Sequence, residues 1–247
     1  MLVPFSPQAQ PDVPAIAAAS NIKFALDEIA TQFAQETGLT LRISYGSSGN
    51  FVAQIRHGAP FELFLSADER YIEQLEQAGF TRDAGVDYAV GRLALVASKQ
   101  SSLQLDPQLV GLRTALAERK ITRFAIANPD HAPYGERAKA LLQQLDVWEL
   151  LKPSLIYGEN VSQAAQFAVS GSTQGGIIAL SLAIAPQFAS LGQYVALPAD
   201  MHDPLTQRMV LMPNAGTTAQ QFYRYLLTEP ARATFLRYGF GLPQLVQ

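Results

Sequence analysis

Two hydrophobic patterns alternate along the chain. Val13 to Ala19 is a short, continuous apolar run, which predicts a buried strand. A small polar pair, Ser20-Asn21, follows. Apolar residues then recur at Ile22, Ala25, Leu26, Ile29, Ala30 and Phe33, the spacing of one helix face, and Gly38 ends the pattern. Leu39 to Tyr45 alternates as a second strand. Beyond Gly46-Ser47-Ser48-Gly49 a short helix is predicted from about Asn50 to His57. Phe61 to Ser66 reads as a third strand, and Ala67-Asp68 opens a helix that reaches about Ala78. Three strand–helix units in succession argue for a parallel sheet covered by helices.

Gly85 to Val90 reads as irregular, and Leu93 to Ala97 as a strand without a helix start directly behind it. Ser98 to Leu112 reads as a loop, followed by a short helix from about Arg113 to Arg119. A second strand–helix series then begins. Phe124 to Ala127 is a strand. Tyr134 to Leu145 is helical, with apolar positions at Ala138, Leu141, Leu142 and Leu145. Ser154 to Tyr157 is a strand, Val161 to about Ser170 a helix, Gly175 to Leu180 a strand with a helix or turn behind it to about Ala189, and Tyr194 to Leu197 a strand. Arg208 to Met212 returns as a strand, and Thr217 to Leu227 and Pro230 to Tyr238 close the chain as helices. Two series joined by two crossings predict two lobes, the second inserted in the first: residues 1–91 with 204–247, and residues 92–203.

Four helix starts stand out because each follows a strand: Ser20-Asn21, Ser47-Ser48-Gly49, Pro133-Tyr134-Gly135 and Asn160-Val161. Ser and Asn suit the N-cap, where a side-chain oxygen accepts from an unpaired helix amide. A helix start also presents free N–H groups and the positive end of the helix dipole, which suits an anion. In open α/β sheets, ligands bind where such starts converge beyond the carboxyl ends of the strands. Taken singly, each is an ordinary cap or turn; the recurrence at equivalent places in two lobes is the signal. No Lys or Arg is placed at these starts, so the donors are neutral. Such a site suits a fully ionised oxyanion.

Composition narrows the classes. Of 247 residues, 48% are hydrophobic and 16% charged, which describes a globular chain, and the net charge of −3 with scattered Lys and Arg argues against nucleic acid. No apolar run approaches the ~20 residues of a membrane span. The absence of cysteine excludes disulfides, thiolate metal sites and a cysteine nucleophile. His57, His131 and His202 are isolated and form no i, i+4 pair for zinc. A serine hydrolase built on Ser48 with one of them is a remote alternative, since Gly46 to Gly49 is one residue short of a Gly-x-Ser-x-Gly elbow. No nucleotide-binding motif occurs. Met1 to Asp12, with three prolines and two glutamines, reads as a lead-in without a complete signal peptide.

Ala17 to Asn21, Tyr45 to Gly49, Gly58-Ala59-Pro60, Phe64 to Asp68, Ala127 to His131 with Pro133-Tyr134-Gly135, Glu159-Asn160-Val161 and Arg237 to Phe240 occur in register from about Val13 onward. In this the chain resembles the periplasmic molybdate-binding proteins of ABC importers. The resemblance implies a two-lobed type II periplasmic binding protein-like fold, each lobe a mostly parallel α/β sheet, with the oxyanion in the cleft. It implies Ser20, Asn21, Ser48, Tyr134 and Val161 as ligands to molybdate, and to tungstate as well. Ser20 and Ser48 would give hydroxyl and amide, Asn21 an amide, and Tyr134 and Val161 their main-chain N–H. No cofactor, no resident metal and no catalysis are expected. The implied partner is a membrane permease, the expected state a monomer, and the expected location the periplasm, with a signal already removed. The alternative ligand is another oxyanion such as sulfate. Two departures from the family pattern are visible. Some members place a tyrosine hydroxyl on the oxyanion where this chain has about Ala179, and Glu62 stands where Asp is common and is expected to be peripheral.

Overall fold

The computed structural model describes residues 13–243, so the lead-in expected over residues 1–12 lies outside the described residues. The strands in chain order are β1 (Ala15–Ala19), β2 (Arg42–Gly46), β3 (Leu63–Leu65), β4 (Val86–Gly91), β5 (Leu93–Ser98), β6 (Phe124–Ala127), β7 (Leu155–Gly158), β8 (Gly175–Ala179), β9 (Gly192–Ala196) and β10 (Leu205–Leu211). They form two five-stranded sheets, ordered β2-β1-β3-β10-β4 and β7-β6-β8-β5-β9. The sheets share one plan. In the first, β1 runs parallel to β2 and β3, and β10 runs against β3 and β4. In the second, β6 runs parallel to β7 and β8, and β5 runs against β8 and β9. In each lobe the odd strand adjoins a crossing: only Arg92 separates β4 from β5, and β10 follows the return from β9.

The continuous apolar run of β1 has a direct cause. All five residues are buried, and successive side chains point to opposite faces of the sheet. Ile16 and Ala18 join one cluster, with Ala25, Leu26, Ile29 and Phe33 of the helix Lys23–Thr37 and with Phe222 and Phe235 of the closing helices. Ala17 joins another, with Phe51, Val52, Ile55, Phe64, Ile72 and Leu75. A sheet covered on both faces needs apolar residues at every position. Gly38 ends the helix in the left-handed conformation, with φ +72°, as its position predicts. The second lobe packs β5, β6 and β8 with Ala138, Leu141, Leu142, Ala164, Ala165 and Ala168. Ala19 and Ala67 of the first lobe join this second core, so the lobes meet at the ends of β1 and β3.

Several elements depart from the sequence reading: the helix expected from about Arg113 to Arg119 is Val110–Ala117, and the return strand expected from Arg208 begins at Leu205. Gly85 to Val90, expected to be irregular, is mostly β4: residues 86–91 pair with β10, and Val90 bridges Gly241 near the end of the described chain. Both partners are distant in sequence, so no local pattern announces the strand. A four-residue helix, Trp148–Leu151, was not expected, being too short for a readable period. Among the described residues no helix is long and apolar enough to cross a membrane.

Candidate anion-binding cleft

The four expected helix starts converge. A small cavity is lined by Ser20, Asn21, Ser47, Ser48, Tyr134 and Val161, together with Ala19, Gly46, Ala67, Ala132 and Pro133. All five predicted ligand residues are buried, from Ser48 at 0% exposure to Val161 at 4%. Larger depressions lie along the Lys23–Thr37 helix and on the surface beside Phe188, away from these residues.

Each start reaches the cavity in its own way. Ser47 is the N-cap of the helix Ser48–Arg56, its Oγ accepting from the Asn50 N–H, while the Gly49 and Phe51 amides go to carbonyls. The first-turn amide these bonds leave over is that of Ser48. Asn160 caps the helix Val161–Val169 by accepting from the Ser162 and Gln163 amides, and its carbonyl takes the Ala164 N–H. The Val161 amide is left over in the same way. In the helix Pro133–Gln144, Pro133 has no N–H, so Tyr134 supplies the first amide of that turn.

The first start corrects the sequence reading. Ser20 and Asn21 do not cap the long helix. Residues Ser20–Ile22 form a 3-10 turn, the helix begins at Lys23, and neither side chain bonds a helix amide there. The side chains work across the lobes instead. Ser20 Oγ accepts from the Ser162 N–H at 3.3 Å, and the Ser162 hydroxyl donates to the Ser20 carbonyl at 2.9 Å. The Asn21 amide lies 3.3 Å from the Tyr134 hydroxyl and 3.1 Å from the Gln207 amide.

Two hydroxyls are thereby aimed. Ser48 Oγ accepts from the Ala67 N–H at 3.0 Å, and Ser20 Oγ accepts from Ser162. In each case the oxygen is engaged as an acceptor, so the hydroxyl hydrogen remains for a ligand. No charged side chain lines the cavity. Close in sequence to the lining residues Ala67 and Tyr134, Asp68 and Glu136 meet Arg70 and Arg137, two carboxylates against two cations, and the group joins the lobes. Burial pushes the phenols of Tyr134 and Tyr88 above their usual range. Both stay protonated at neutral pH, so no phenolate competes with an incoming anion.

The lobes are closed on each other by contacts that were not read from the sequence. The Gly49 N–H donates to the His131 carbonyl at 3.0 Å, Ser47 Oγ and His131 Nδ1 are 2.9 Å apart, and Asn50 Nδ2 donates to Glu159 at 2.6 Å. A Cβ at Gly49 would lie 2.8 Å from the His131 carbonyl oxygen, so only glycine allows this approach. His131, isolated in the sequence, is a bridge between lobes. Arg70, in the helix opened by Asp68, reaches Glu136 of the other lobe. Gln207, fully buried on β10, gave no signal in the sequence. Glu62 is peripheral, as expected: its carboxylate accepts from the Gly216 N–H at the start of the helix Thr217–Tyr225. Ala179 is buried in β8 beside Leu93 and does not line the cavity.

Two α/β lobes of one plan, closed over a cavity lined by neutral donors from both, define a two-lobed binding protein for a small solute. The chain belongs to the family of bacterial extracellular solute-binding proteins, matched over residues 15–241. It is 34% identical over 230 residues to the molybdate-binding protein ModA of Azotobacter vinelandii, covering 92% of this chain and 89% of that one. It is also 34% identical over 227 residues to the ModA of Rhodobacter capsulatus, covering 91% and 86%. The solved periplasmic molybdate-binding protein of Azotobacter vinelandii superimposes with a TM-score of 0.84 at 32% identity, covering 94% of this chain and all of that one.

Proposed function

We propose that this protein binds molybdate, and tungstate with it, in the cleft between its lobes and delivers the ion to the permease of an ABC importer. The observation that carries the reading is the donor set. The Ser48, Tyr134 and Val161 amides are left free by their helix caps, and the Ser20 and Ser48 hydroxyl hydrogens by the acceptor bonds of their oxygens. A tetrahedral dianion accepts from every direction and donates to none, and this set matches it. The similarity to two molybdate-binding proteins selects the ion among oxyanions of that kind.

Ser20, Asn21 and Ser48 come from one lobe, and Tyr134 and Val161 from the other. The anion therefore makes its full set of contacts only in the closed form and favours that form. The lobes are taken as residues 1–91 with 204–247, and 92–203; the single residue between β4 and β5 and the return into β10 support these limits. The site is complete within one chain, in keeping with a monomer. The importer role places the protein in the periplasm, and no bond is made or broken there.

Thermal unfolding with molybdate, tungstate, sulfate and phosphate tests the reading. A ligand at ~100 times its dissociation constant stabilises by about 2.7 kcal/mol, a rise of roughly 5–10 °C in Tm for a chain of this length. A rise with molybdate and tungstate is the expected outcome. A rise with sulfate alone keeps the oxyanion site and overturns the named ligand. No rise with any of the four overturns the site.

A further inference from the structure

Beside the cavity lies a buried cluster of four polar side chains: Asn21 after β1, Tyr88 on β4, Tyr134 of the second lobe and Gln207 on β10. Gln207 is 0% exposed, Asn21 1%, Tyr88 2% and Tyr134 2%. The Asn21 and Gln207 amides lie 3.1 Å apart, and each is within 3.3 Å of the Tyr134 hydroxyl. The far end of Gln207 is 2.9 Å from the Tyr88 hydroxyl, which is itself 3.4 Å from the Ser66 carbonyl. Tyr134 is pressed against Gly91, where a Cβ would collide with its hydroxyl. The phenol therefore has no room to turn away.

A carboxamide has one accepting and one donating end, and the bonds decide which end points where. If the Asn21 NH2 faces Gln207, the Tyr134 oxygen receives two N–H groups and its own hydrogen has no acceptor. The Asn21 oxygen is then buried with no partner. If both amides are turned over, Gln207 donates to the Asn21 oxygen and to Tyr88, Tyr134 donates to the Gln207 oxygen, and Tyr88 donates to Ser66. The one group left without a partner is then the Asn21 NH2, on a residue that lines the cavity. The first arrangement leaves an acceptor and a hydroxyl hydrogen stranded. The second strands only donors, and a bound anion satisfies them.

We propose that Gln207 is a positioning residue that locks the Asn21 amide with its NH2 toward the cavity and thereby keeps that wall free of acceptors. The consequence is selectivity. An oxygen at that place would repel a fully ionised oxyanion and would accept from a protonated one such as hydrogen phosphate; an NH2 reverses both preferences. The proposal rests on the oxyanion reading above. It goes further by naming what rejects protonated competitors.

The test is titration calorimetry of molybdate and hydrogen phosphate against the full chain and its Gln207→Met and Gln207→Glu variants, with Asn21→Ala alone and combined with Gln207→Met. Methionine offers no bond, and glutamate offers Asn21 an accepting oxygen where glutamine donates. Both are expected to weaken molybdate about tenfold or more and to narrow its preference over hydrogen phosphate. In the Asn21→Ala background, Gln207→Met is expected to add little, because it acts through Asn21. If a Gln207 variant fails to fold, Tyr88→Phe, which removes only the hydroxyl that Gln207 donates to, is expected to narrow the preference in the same direction. An unchanged molybdate-to-phosphate preference in the folded variants overturns the proposal, as do additive losses in the double variant. Wild type that binds neither anion overturns the oxyanion reading and this proposal with it.

Discussion

The two lobes share a strand order and differ in what they bring to the cleft. The first lobe brings mainly side chains, the hydroxyls of Ser20 and Ser48 and the amide of Asn21, with one backbone N–H, that of Ser48. The second brings backbone: the N–H groups of Tyr134 and Val161 at the starts of two helices. A side-chain donor can be deleted by one substitution, whereas a main-chain donor survives every substitution that keeps its helix. Single replacements at the cavity should therefore cost affinity mainly in the first lobe, although residues of both lobes line it.

The sharpest way to break this comparison is Ser48→Ala. It removes a donor to a charged acceptor, worth roughly 1.5–3 kcal/mol, so molybdate affinity should fall ten- to a hundredfold by calorimetry. An unchanged affinity would take the first lobe's hydroxyl out of the site. Next comes Gly49→Ala, which touches no ligand but drives a Cβ into the His131 backbone across the cleft. Overpacking of this kind costs about 1–3 kcal/mol, here charged to closure alone, so affinity should drop about tenfold while the melting temperature without ligand holds. X-ray scattering should then show a more open form at a molybdate level that closes the wild type.

Smaller effects sharpen the contrast. Tyr134→Phe keeps the amide and loses the hydroxyl that meets Asn21 and Gln207, so a loss of a few-fold is expected, about 0.5–1.5 kcal/mol. Val161→Ala keeps its amide and should bind within about twofold of wild type; a tenfold loss would give the second lobe a side-chain role. Asp106, which does not line the cavity, separates stability from binding. Burial opposes its charge, but the amides of Gly111, Val110 and Gln108 outweigh that and hold its carboxyl below the usual range. A lowered folded value means stability that is present above the unfolded value and lost as pH falls through the folded one. Asp106→Asn should cost about 0.5–1 kcal/mol at neutral pH after solvent screening. That difference should fade in acid, with affinity unchanged throughout.

The elements that were legible share a property: their signal is local. The apolar run of β1 records burial on both faces. The helix Lys23–Thr37 shows its period and its closing glycine, and Asn160 caps Val161–Val169 as expected. The elements that were not legible depend on distant partners. β4 exists because β10 and Gly241 pair with it. Ser20 and Asn21 look like caps because their residue types favour caps, but the backbone turns through a 3-10 step and sends their side chains to Ser162, Tyr134 and Gln207. His131 reads as an isolated histidine because its partner Ser47 lies 84 positions away.

By itself the sequence determined the α/β class, the two series of units and three of the four helix starts, and its motifs pointed to five residues that are among those lining the cavity. Each of these follows from periodicity, from a helix start behind a strand, or from motifs in register. Tertiary structure alone decided which hydroxyl hydrogens are free, which amides the caps leave over, and which contacts close the lobes. The physical reason is that a hydrogen bond is settled by the position of both partners. The decisive pairs here, Ser20 with Ser162, Ser48 with Ala67, Gly49 with His131 and Asn21 with Gln207, join residues that meet only when the sheets are formed and the lobes are closed.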